Sequence, residues 1–229
     1  MTGIYRLYHG SEFEIKVPVY GKGKSYNDYG LGFYTTRNKG LAGEWAVLMT
    51  QKDGYINEYA FNDGSIFNDD GLEIEPELKT LNLDNMDIKH WVAVLMDNRE
   101  GDYEDPAIYD IIKEFKDNYL IDVSEYDVIT GWRADDSYFR FVEDFVLNRL
   151  SLENLQKAMR FGNLGYQICL KSEKTFSPGR LKFITSYRAE MSRFFSFAEE
   201  RDKEARRSYA KMIQDSGARN GTLITALLA

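Results

Sequence analysis

The strongest constraint on this chain is the irregular order in which its apolar periodicity changes. Leu41, Trp45, Leu48 and Met49 recur at helical spacing. So do Ile108, Ile111, Ile112, Phe115 and Tyr119, and then Phe139, Val142, Phe145, Val146 and Leu150. Residues 4–8, 32–36, 54–61, 126–130, 165–171 and 181–185 instead read as short strands. Helices and strands do not alternate in a continuous parallel βαβ run, so the sequence predicts an α+β fold. With 229 residues, 43% of them hydrophobic, the chain suits one domain with an appendage.

Local punctuation refines this reading. Residues 20–32, YGKGKSYNDYGLG, hold four glycines and no apolar period, which predicts a long loop of the kind that carries function. Ser151 stands where a helix N-cap belongs, with Glu153 in the first turn. Residues 187–214 read as one long helix. Its stripe of Met191, Phe194, Phe195 and Ala198 gives way to a charged stretch at 199–203 and resumes weakly at Tyr209 and Met212. The expectation is a domain over 1–186 and a C-terminal helical extension and tail over 187–229. The first half of that helix should dock, and the second half should project as a handle for a partner.

Charge and residue usage exclude several functions. A net charge of −8 repels phosphate backbones and disfavours general nucleic-acid binding. Cys169 is the single cysteine, so no internal disulfide can form. Two histidines, His9 and His90, without a cysteine cluster give no zinc site, and no metal is expected. No signal-peptide pattern opens the sequence and no apolar run is long enough for a membrane span, so the expected location is cytoplasmic, without a membrane partner.

Three stretches carry candidate chemistry. The first is Tyr8-His9-Gly10-Ser11. The second runs from Gly30 and Gly32 through Phe33, Tyr34, Thr35 and Thr36 into a helix with Ala42, Trp45 and Ala46. The third is Gln167, which shares one strand face with Cys169 and Lys171, opposite Tyr166, Ile168 and Leu170. In their order, the first two resemble the ADP-ribosyltransferase superfamily, in its diphtheria-toxin and poly(ADP-ribose)-polymerase branch. The arrangement is most similar to a bacterial family of such proteins, a domain of unknown function found beside small antitoxin-like genes.

The resemblance implies a split β-sheet core with flanking helices and NAD as substrate. It assigns a ribose hydroxyl to His9, the nicotinamide carboxamide to the Gly10 backbone, and a further hydroxyl to Ser11. Gly32, Phe33, Tyr34 and Thr35 would line the same nucleotide site, with Tyr34 stacked on the nicotinamide. Physics is compatible with this: a residue without Cβ lets the backbone approach a ligand, and a carboxamide needs one donor and one acceptor. Catalysis would rest on His9, Tyr34 and Gln167.

Gln167 departs from the family pattern, which often places a Glu on the late strand. A Gln can orient a ribose but carries no charge to offset a developing cation. Transfer of a single ADP-ribose is therefore the expected activity, in an intracellular bacterial toxin that modifies a macromolecular acceptor and is neutralised by a small antitoxin protein. The alternative is a catalytically weak module that binds NAD or ADP-ribose, or an NAD glycohydrolase. Other candidates are Asp135 and Asp136, near a strand end or as a helix cap; Arg37 and Arg133, for a pyrophosphate; and Asn98-Arg99, near the cleft. Glu58 reads as an exposed strand residue and His90 as structural. Cys169 has no His partner and is not a nucleophile.

Overall fold

A computed structural model describes residues 2–67, 73–74, 78–99, 108–134, 136–161 and 165–229. The fold is α+β, as the periodicity predicts. Strand β1 (Thr2–Ser11) pairs antiparallel with one side of the long β3 (Gly54–Phe67). Strands β4 (Glu73–Ile74) and β8 (Leu181–Ala189) share the other side of β3. A second sheet has the order β2 (Phe33–Thr35), β7 (Tyr166–Leu170), β6 (Val128–Trp132), β5 (Thr80–Asn82). Only its β5–β6 pair is parallel. Among the described residues a single bridge, Tyr8 to Thr36, joins the two sheets.

Alternation along the strands sorts side chains into layers. Leu7 and Phe61 of the first sheet meet Val128, Ile168 and Leu170 of the second. On the far side of the first sheet, helix α1 (Lys39–Leu48) packs Ala42, Ala46 and Val47 on Ile56 and Ala189. On the far side of the second, Ile129 and Cys169 lie under α2 (Ile88–Asn98), α3 (Tyr109–Tyr119), α4 (Asp136–Val146) and α5 (Leu152–Ala158). Asn38 caps α1 by accepting from the Gly40 and Leu41 amides, and Ser151 caps α5 as its position predicts.

The C-terminal segment differs from expectation in two ways. Residues 187–189 continue β8, so helix α6 (Met191–Ser216) starts beyond the 186/187 boundary. Its second half does not project. Ala205 and Met212 are buried in the main core, and the Tyr209 ring stacks on Phe141 at 4.2 Å. The tail then folds back: Asn154 Nδ2 donates to the carbonyls of Gly217 and Ala218, and Ile224, at the start of α7 (Ile224–Leu227), is fully buried. The charged stretch at 199–203 tolerates partial burial by pairing, since the largely buried Arg201 meets the buried Glu44 of α1. Charge along the helix hid a docking face that is made by partners distant in sequence. Among the described residues, no helix is long and apolar enough to cross a membrane.

Candidate functional site

The site is built where β1 outlasts its bridge to β2. Tyr8 exchanges both backbone hydrogen bonds with Thr36, at 2.8 and 2.9 Å, so its peptide groups face away from β3. Antiparallel alternation turns the N–H and C=O of Gly10 the same way. There the chain has already left β2 for α1, and Gly10 presents one donor and one acceptor beside the helix. The missing side chain serves a second purpose. A Cβ on Gly10 would lie 1.9 Å from the Ala42 carbonyl oxygen and 2.7 Å from the Ala46 nitrogen. The glycine is required for α1 to sit on the sheet at all.

His9 points to the opposite face, between the sheets. Its ring stacks on Phe33 with centroids 4.3 Å apart. Its Nδ1 lies 2.7 Å from the Tyr34 carbonyl oxygen, which makes Nδ1 the protonated nitrogen and leaves Nε2 as an acceptor. Burial lowers the His9 pKa, against the opposing pull of that hydrogen bond. The ring is thus neutral at physiological pH and suited to accept from a hydroxyl. Ser11 Oγ donates to the Phe13 carbonyl and accepts from Asn57 Nδ2, so its hydroxyl is engaged within the protein.

The second motif divides between two faces. Phe33 stays with His9. Tyr34 turns to the other face, beside Tyr29, where its hydroxyl accepts from the Tyr29 amide at 2.9 Å and donates to the Gly30 carbonyl at 2.7 Å. Its expected stacking role therefore gives way to holding the 29–34 turn. Burial pushes its pKa up. Thr35 is buried and donates to the Ile168 carbonyl at 2.9 Å. Gly32 admits Cys169, whose Sγ would lie 2.3 Å from an added Cβ. Both residues fasten β2 to β7 and do not line a cleft.

Trp45 stands on α1 one residue before Ala46, whose nitrogen would lie 2.7 Å from a Cβ on Gly10. It follows Leu41 by one turn of α1, and Leu41 packs against Gly165 at the end of the second sheet. The Arg133 guanidinium stands 5.5 Å from the Trp45 ring centroid. Trp45 Nε1 is buried without an acceptor. An unsatisfied buried donor costs about 1–3 kcal/mol, which a ligand acceptor would offset. Arg37 instead lies over Tyr5, with 4.3 Å to its ring centroid.

Gln167 faces neither solvent nor a cleft. It is 3% exposed, and its Nε2 donates to Asp28 Oδ2 at 2.8 Å. Asp28, itself 4% exposed, also accepts from Arg99 Nε and Nη2 at 3.1 and 2.9 Å and from the Ala134 amide at 2.9 Å. Sequence reasoning missed Asp28, because an Asp in a Gly-rich loop looks like an ordinary turn residue. Glu58 is corrected too: it is 2% exposed, paired with Arg6 and accepting from the Tyr187 hydroxyl at 2.8 Å. Asp135 and the side chain of Asp136 lie outside the described residues. His90 is structural, with Nδ1 2.8 Å from the Tyr119 carbonyl. Cys169 is fully buried and its thiol is pushed up to about 12, which agrees with an unreactive role. No group of His, Cys, Asp or Glu among the described residues could hold a metal ion.

Residues 5–183 match the model of a family described as a protein of unknown function, DUF3990. No curated protein matches the chain, and no solved structure does.

Proposed function

Because the chain belongs to the DUF3990 family, whose description carries no activity, we propose from the site alone that it binds NAD at the Gly10 edge and acts as a mono-ADP-ribosyltransferase. The observation that carries this reading is the pairing of free Gly10 peptide groups with a neutral, acceptor-bearing His9 and the unsatisfied Trp45 indole. A carboxamide takes one donor and one acceptor from Gly10. A ribose hydroxyl donates to His9 Nε2. The Trp45 face offers stacking worth on the order of 1–3 kcal/mol for a ring, and Arg133 beside it offers a cation for a pyrophosphate.

In the proposed reaction the bond between ribose C1′ and the nicotinamide nitrogen breaks, and nicotinamide leaves neutral with the electron pair. A nucleophile on a macromolecular acceptor bonds to C1′ and gives its proton to water. An intracellular toxin held in check by a small antitoxin protein is the cellular role this chemistry fits.

A second reading, a module that binds NAD without turnover, is favoured by one specific observation. The Gln167 amide is spent on Asp28 and cannot reach a ribose. The test is incubation of the purified protein with labelled NAD, reading binding, nicotinamide release and label transfer to lysate. Release with transfer supports the transferase, and release alone indicates a glycohydrolase. Binding alone supports the module, while no binding at millimolar NAD overturns both readings.

A further inference from the structure

A path of hydrogen bonds and covalent links runs from the buried Asp28 to His9. Asp28 is fixed by Arg99 from the end of α2, by the Ala134 amide after β6, and by Gln167 from β7. The next residue, Tyr29, is tied at three points. Its hydroxyl donates to the Trp132 carbonyl at 2.6 Å, its carbonyl accepts from Lys171 Nζ at 2.8 Å, and its amide donates to the Tyr34 hydroxyl. Tyr34 closes the turn on Gly30, and its own carbonyl receives the His9 Nδ1 proton. The path joins three strands and a helix to the one imidazole in the candidate cleft.

We propose that Asp28 and Gln167 are positioning residues that set the tautomer and orientation of His9 through the 29–34 turn. The charge of the node explains why an amide stands at 167. Asp28 Oδ2 needs a donor at 2.8 Å, and a carboxylate there would set two negative charges against each other with one guanidinium between them. The neutral residue on the late strand is thus dictated by Asp28. It is a requirement of the fold's polar core and is no weakened form of a catalytic acid. The charged and titratable groups facing the node are Arg99 from α2, Tyr29 from the loop, Tyr34 from β2, and Cys169 and Lys171 from β7.

The proposal rests on the NAD reading only for the use made of His9, and its test needs no NAD. The protein has two histidines, so His90→Gln leaves His9 as the sole imidazole signal in a nitrogen-resolved NMR spectrum. At pH 8, Gln167→Glu is expected to abolish the Nδ1–H tautomer signature of His9 and to lower the melting temperature by about 10 °C, as a like-charge buried pair costing several kcal/mol should in a chain of this size. The loss in melting temperature should shrink as pH falls, because one proton shared by two carboxylates restores the missing donor. Should Gln167→Glu fail to fold, Gln167→Met removes the donor without adding charge, and it should shift the His9 signal with no added pH dependence. An unmoved His9 signal in Gln167→Met or Gln167→Glu overturns the proposal. A responsive His9 in a protein that binds no NAD supports the positioning role and sinks only the NAD reading.

Discussion

Gly10 lies so close to Ala42 that a methyl group on it would stand 1.9 Å from the Ala42 carbonyl oxygen. The contact is with helix backbone, which cannot move aside as a side chain can. Gly10→Ala is therefore expected to destabilise the fold by about 3 kcal/mol, at the upper end for overpacking. A urea midpoint unchanged from wild type would show that α1 can shift, and that Gly10 serves the cleft alone.

The two aromatic residues of the second motif and α1 should separate cleanly in mutagenesis. Trp45→Ala is expected to weaken NAD binding about tenfold or more while leaving the melting curve close to wild type. Tyr34→Phe should do the reverse. It strands the Tyr29 amide and the Gly30 carbonyl, at a cost of about 1–3 kcal/mol. Calorimetric titration with NAD and thermal melts on both variants check the pair. The opposite assignment of effects would return the stacking role to Tyr34.

Acidification should act through His9. Its pKa in the folded protein is lowered by burial, so at pH values below the ordinary value of about 6.5 the unfolded chain binds more protons. The contribution of His9 to stability is therefore complete above that pH and is lost as pH falls through the lowered folded value. NAD affinity should fall in the same window, because protonation removes the Nε2 acceptor. A His9→Gln variant should show a flatter stability profile between pH 7 and pH 5. Parallel profiles for variant and wild type would contradict this.

The second half of α6 belongs to the core, and its removal should be structural. Met212→Ala is expected to cost about 2 kcal/mol, and Tyr209→Phe about 1 kcal/mol through loss of its hydrogen bond to Asp144. Truncation after Glu200 should give insoluble protein, since it uncovers Phe141 and the face that Ala205 and Met212 bury. A soluble, folded truncation would restore the projecting handle that the charge pattern suggested.

Cys169 offers a built-in report on these variants. Fully buried and with its thiol pushed up to about 12, it should resist alkylation at neutral pH until the fold opens. Labelling in native buffer at the rate of a free thiol would show that β2 and β7 separate readily.

What the sequence determined by itself was local. Asn38 and Ser151 cap their helices and residues 20–32 form a loop. The helical and strand periods locate most elements to within a few residues, because propensity, capping and periodicity act within a turn or two of chain. The first two motifs also meet in space, His9 stacking on Phe33. Tertiary structure alone decided which face each side chain took, and with what partner. Tyr34 turns to the face where the 29–34 turn claims its hydroxyl, while Trp45 meets Arg133 on the flank of α1 where Leu41 packs against Gly165. Asp28 and Gln167 look like solvated loop and strand residues until partners 71 and 139 positions away close around the carboxylate. Burying a polar group is tolerable only when its hydrogen bonds are met. Those bonds come from elements that meet only after the chain has folded, so no local pattern records them.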